Sequence, residues 1–95
     1  MTATVHVESL GDHEYLVRVR KGAEEATTRL QAGEGALDQL DLPGADEVRV
    51  VQETMAFLAE RQPVIDIPPM IDLDDLAAAY GDLYIEDLRR RLNLL

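Results

Sequence analysis

The chain has no cysteine and no tryptophan, and only one phenylalanine and three tyrosines among its 95 residues. Without cysteine there is no disulfide, no thiolate metal site and no cysteine nucleophile. With so few rings, an interior has to be built from Val, Leu, Ile, Met and Ala. Serine occurs once, at Ser9, and no Gly-x-Ser-x-Gly elbow surrounds it, so nucleophilic catalysis has little to stand on. Positive charge is short as well: nine bases face 19 acids, for a net charge of −10 at pH 7. Nucleic-acid phosphates and anionic membrane surfaces both repel such a chain, so neither is expected as a direct partner. No apolar run approaches the ~18 residues that a bilayer requires. The start, Met1-Thr2-Ala3-Thr4, lacks the basic residues and apolar stretch of a signal peptide. The expected compartment is the cytoplasm.

What is present suffices for one domain spanning residues 1–95. A chain of this size buries roughly 60 to 70 per cent of its unfolded surface, which supports a thin two-layer structure. An apolar fraction of 46% argues against wholesale disorder.

The hydrophobic period changes near Pro43. Before it the period is two: Val5 and Val7 alternate with Thr4, His6 and Glu8, and Tyr15, Val17 and Val19 alternate with Leu16, Arg18 and Arg20. Gly11-Asp12-His13-Glu14 joins these runs as a hairpin. A second turn at Lys21-Gly22-Ala23 leads to a weaker strand at Ala26–Leu30. The pattern predicts a three-stranded antiparallel meander over about 4–10, 15–20 and 26–30. Gly33-Glu34-Gly35 closes the sheet region, Ala36–Leu40 suits one helical turn, and Asp41–Gly44 reads as a loop.

After Pro43 the period is 3.6. Val48, Val51, Met55 and Leu58 form one stripe with Phe57 beside it, predicting a helix over about 46–62, capped by Asp46 and ended before Pro63. Pro63–Ile71 is expected as an extended connector, because Pro68-Pro69 fixes φ twice and removes two donors. Short C-terminal helices are expected over about 72–80 and 83–92, with Gly81 interrupting or capping. Leu73, Leu76, Ala77 and Tyr80 share one side of the first; Tyr84, Leu88 and Leu92, with Ile85 and Leu95, supply the apolar residues of the second. The fold class is α+β.

Asp66, Asp72, Asp74, Asp75, Asp82, Glu86 and Asp87 lie between Arg61 and Arg89 with no base among them. Asp72, Asp74 and Asp75 concentrate hard oxygen ligands. A calcium loop counted from Asp72 would need Gly and Glu where Ala77 and Leu83 stand, so no metal is expected. Helix-start chemistry explains these acids better: Asp72 as cap, Asp74 and Asp75 at the positive first turn. His6 and His13 show no ligand spacing and read as surface residues. Arg89-Arg90-Arg91 complements a helix C-terminus. No Walker or Gly-x-Gly-x-x-Gly loop is present, so no phosphate cofactor is expected, and no catalytic residue stands out.

The connector holds the open question. Val64, Ile65, Ile67, Met70 and Ile71 are five large apolar residues that cannot all face water cheaply. They either cover the core or form a partner-binding patch, and they are the candidate site residues.

The helix end Phe57-Leu58-Ala59-Glu60-Arg61-Gln62-Pro63, following a short meander and preceding Asp72-Leu73 and Tyr80, resembles a set of small bacterial α+β proteins of no assigned activity. That resemblance implies the fold class alone. The leading functional expectation is a non-enzymatic interaction or regulatory module that binds a protein through its acidic-apolar C-terminal half. Alternatives are an acidic nucleic-acid mimic that occupies a basic protein, or a small-molecule binder with its site at a dimer interface. A homodimer would cover free sheet edges.

Overall fold

The structure, a computed structural model, describes residues 3–35, 38 and 47–92. The helical turn expected over 36–40 (Asp38 apart), the loop at 41–44, the Asp46 cap and Leu95 lie outside the described residues.

Strands β1 (Thr4–Gly11), β2 (Glu14–Lys21) and β3 (Glu24–Gln31) form the antiparallel meander. Asp12 and His13 make the first turn with φ of 52° and 62°. Two positive φ values match the type I′ geometry whose twist follows that of the strands. Gly22 opens the second turn at φ 64°, where a side chain would be strained. Cross-strand pairing aligns Val7 with Val17, Val5 with Val19, and Tyr15 with Leu30, so one face is apolar.

The sheet has a fourth strand. Pro63–Ile71 is not extended throughout: Val64–Asp66 is a 3-10 turn, and β4 (Met70–Asp72) pairs in parallel with the free edge of β3. Pro69 has no N–H to give, but its carbonyl accepts from the Arg29 amide at 2.9 Å. A three-residue strand after two prolines shows too little alternation to stand out in sequence.

Helix α1 (Glu47–Arg61) buries Val50, Val51, Thr54, Met55, Phe57, Leu58 and Ala59, a wider face than one stripe. It is wider because α1 packs on the sheet with one side and on α3 with another. Helix α2 (Leu73–Tyr80) and helix α3 (Asp82–Leu92) are separate. Gly81 parts them at φ 59° and ψ −136°, a conformation open to glycine alone. Its N–H closes α2 on the Ala77 carbonyl at 2.7 Å, and its carbonyl accepts from the Tyr84 and Ile85 amides to start α3. The core is single and continuous, running from Val17, Val19 and Leu30 through Met55 and Phe57 to Leu73, Tyr84 and Leu88. No described helix is long and apolar enough to cross a membrane.

Candidate interaction surface

The connector between α1 and α2 divides its apolar residues. Val64, Ile67 and Ile71 are 0%, 7% and 9% exposed, whereas Ile65 and Met70 stand 75% and 74% exposed. Of the five candidate site residues, the first three are core residues within the monomer, unavailable to a partner, and the other two face water. The division follows from local backbone. The Asp66 and Ile67 amides bond back to the Pro63 and Val64 carbonyls at 2.9 and 3.1 Å, closing a tight turn that projects Ile65 outward. In β4, Ile71 pairs with buried Leu30, so Met70 must point to the opposite face with its neighbour Arg29.

Met70 thereby extends a cross-strand row on the outer face of the sheet: Glu8, Leu16, Arg29, Met70. A cleft of about 100 Å³ opens beside it, lined by Glu14, Arg29, Leu30, Gln31, Met70 and Ile71. Arg29 pairs with Glu14 across its rim. Leu30 and Ile71 give the cleft an apolar contribution, and its size suits one aliphatic side chain. A larger, open groove of about 450 Å³ lies by the end of α1, where Lys21 and Arg61 face Glu24 and Glu60. Its two bases are already engaged. Lys21 Nζ donates to the Ala59 carbonyl at 3.3 Å, and the Arg61 guanidinium lies 3.7 Å over the Phe57 ring.

The acids divide likewise into structural roles. Asp72 Oδ1 accepts from the Asp74 amide at 2.8 Å, the capping bond expected of it. Asp74 packs against the Gly33–Gly35 segment so closely that a Cβ on Gly33 would lie 2.3 Å from its carboxylate. A side chain at Gly33 would have to displace that carboxylate, so the segment after β3 lies against the start of α2. Arg91 donates to Asp87 at 2.9 Å and to both carboxylate oxygens of Glu60 at 2.8 Å, tying the last turn of α3 to that of α1. Arg90 sits 3.7 Å from Asp87. Among the described residues no three His, Asp or Glu side chains converge as metal ligands.

One cluster had no signal in the sequence. Glu47, at the start of α1, accepts from His13 Nδ1 at 2.8 Å and from the Tyr15 hydroxyl at 2.9 Å. The pair raises the His13 pKa above its ordinary 6.5, first through the hydrogen bond and then through the carboxylate's charge. His6 lies elsewhere, on the outer face of β1 opposite Arg18. The two histidines are not brought together, and the His13–Tyr15–Glu47 cluster pins the hairpin turn to the helix. No family model matches the chain, and no curated protein or solved structure matches it either.

Proposed function

We propose that this protein is a small, non-enzymatic interaction module of the cytoplasm that docks a protein partner through the surface around Ile65 and Met70. The carrying observation is that pair: two large apolar side chains, each about three-quarters exposed, displayed by a connector whose intervening residues are anchored in the core. Such anchoring keeps the surface in one shape, so little ordering entropy opposes binding. Covering Met70 or Ile65 contributes about 1.5–3 kcal/mol each by area alone. The cleft beside Met70 accepts an aliphatic side chain of the partner. Asp66 and Asp72 flank the surface, and the chain's net −10 favours a partner that is basic around its apolar contact.

The test is affinity capture with the wild-type protein and with Ile65→Ser/Met70→Ser. Both positions are exposed, so the variant keeps its thermal midpoint while specifically captured proteins are lost. Retention of the same set of partners by the folded variant would sink the assignment.

A further inference from the structure

Strand order β1-β2-β3-β4 leaves β1 at one edge of the sheet, paired on a single side. A free edge is normally guarded by lysine, proline or brevity. β1 has eight residues with no lysine or proline, pairs regularly with β2 from Thr4 to Ser9 before a register shift at Leu10, and carries only His6 and Glu8 as ionisable side chains. Val5 and Val7 pack against the core but are only partly buried, although Val19 and Val17, their cross-strand neighbours, are fully buried. On the outer face His6 lies opposite Arg18 and Glu8 opposite Leu16. None of His6, Glu8 and Arg18 has an ionic partner among the described residues. The His6 imidazole thus lies beside a cation and the Glu8 carboxylate beside a leucine, so neither has a complementary cross-strand neighbour.

We propose that β1 pairs antiparallel with β1 of a second copy of this chain, about a twofold axis through Val7. In that register His6 of each copy faces Glu8 of the other, Val5 faces Ser9, and Val7 faces Val7. Face alternation is preserved, because antiparallel pairing about a residue matches odd positions with odd and even with even. Other centres are worse. An axis at His6 sets the two imidazoles together, and one at Glu8 sets two carboxylates face to face. An axis at Val5 leaves His6 against Thr4. Only the Val7 register, among centres from Val5 to Glu8, sets the Glu8 carboxylate of each copy opposite a side chain that can donate to it, the His6 imidazole. It also aligns Val17, Val7, Val7 and Val17 in one apolar row across two copies, adding cover to the partly buried valines. This interface is independent of the Ile65–Met70 surface, which lies at the β4 side of the molecule.

Sedimentation equilibrium on the intact chain tests the register, using His6→Glu, Glu8→Lys and the double variant, over concentrations up to about 200 micromolar. The wild type dimerises. By symmetry His6→Glu sets carboxylates opposite each other twice and Glu8→Lys removes the acceptor facing each imidazole twice, so each single change weakens the dimer about tenfold or more. His6→Glu/Glu8→Lys restores unlike pairs and returns the dissociation constant to within about threefold of wild type. Circular dichroism confirms that each variant is folded. A wild type that stays monomeric overturns the proposal. So does a dimer indifferent to both single changes, or one that the double change fails to rescue. Ile65→Ser/Met70→Ser leaves the dimer intact; its loss there instead would move self-association to the connector and refute the β1 register.

Discussion

The most informative perturbation concerns the hydrogen bond buried between α1 and α3. Thr54 on α1 and Tyr84 on α3 are both fully buried, and their hydroxyls lie 2.9 Å apart. Tyr84 also packs edge-on against Phe57, with ring centroids 5.4 Å apart, so its ring is fixed independently of its hydroxyl. Tyr84→Phe leaves the Thr54 hydroxyl unpaired in a dry site, and Thr54→Val does the same to the phenol. Each single change costs about 1–3 kcal/mol, because an orphaned buried group loses its partner without regaining water. The double change removes both polar atoms while keeping shape, and costs about 1 kcal/mol or less. A double-mutant cycle in urea therefore gives a coupling energy of about 1–3 kcal/mol, with the double variant more stable than the sum of the singles predicts. Each kcal/mol corresponds to about 4–8 °C in thermal midpoint for a domain of this size. A second readout comes from base. Burial pushes the Tyr84 phenol up to about 12, the Thr54 bond opposing the shift, against an ordinary 10.0. The folded state holds that proton more tightly, so the stabilisation is complete below pH 10 and falls by about 3 kcal/mol as pH rises toward 12. Tyr84→Phe abolishes that part of the alkaline loss. Additive single effects, or an unchanged alkaline limb in Tyr84→Phe, would refute the reasoning.

Two further predictions follow from polar groups elsewhere. Thr28 Oγ1 is buried on the core face of β3 with no hydrogen-bond partner among the described residues, so Thr28→Val stabilises by about 1 kcal/mol, read as a higher urea midpoint at constant slope. A lower midpoint would mean that the hydroxyl is satisfied in solution. The raised His13 pKa makes the bond to Glu47 pH-dependent: its stabilisation is full below pH 6.5 and is lost as pH rises through the higher folded-state value. His13→Asn, chosen because asparagine tolerates the positive φ at this turn, loses most relative to wild type at about pH 5.5 and least at about pH 8.5. A difference that does not vary with pH would rule out this role for the pair.

The elements visible in the sequence are those with enough local repetition to declare a period. Val5 and Val7, then Tyr15, Val17 and Val19, alternate long enough to mark strands, and the structure extends each by a residue or two. Val51, Met55 and Leu58 mark α1, and Asp72 marks the start of α2 by the bond it makes. What stayed hidden depends on contacts between distant segments. β4 exists because Arg29 and Leu30, some forty positions earlier, offer a free edge. The buried face of α1 is wider than its stripe because Tyr84 arrives from α3. Val64, Ile65, Ile67, Met70 and Ile71 are chemically alike, so composition cannot sort them. The sorting is done by a 3-10 turn and a register with β3. The His13–Glu47 bond joins positions 34 residues apart, and neither residue is unusual locally.

Charge bears on the proposed pairing of β1 with a second copy. A chain at −10 repels itself, and Asp72, Asp74 and Asp75 gather at the β4 edge and the start of α2. β1 lies three strand spacings away, roughly 14 Å at the usual 4.7–4.9 Å per strand. That exceeds the Debye length of about 8 Å at physiological salt, so across the sheet this acidic cluster is largely screened. Near β1 the outer face is balanced instead: Arg20 pairs with Glu25, and Arg18 stands beside His6 within reach of an incoming Glu8. The two surfaces therefore suit different partners. Under the two proposals, the β4 side takes a basic, apolar protein and the β1 edge a second copy of the chain. Lowering salt separates them, since long-range repulsion then reaches β1 and weakens the dimer, while attraction of a basic partner to the acidic side strengthens. A dimer that does not weaken as salt is lowered would refute this account of the repulsion.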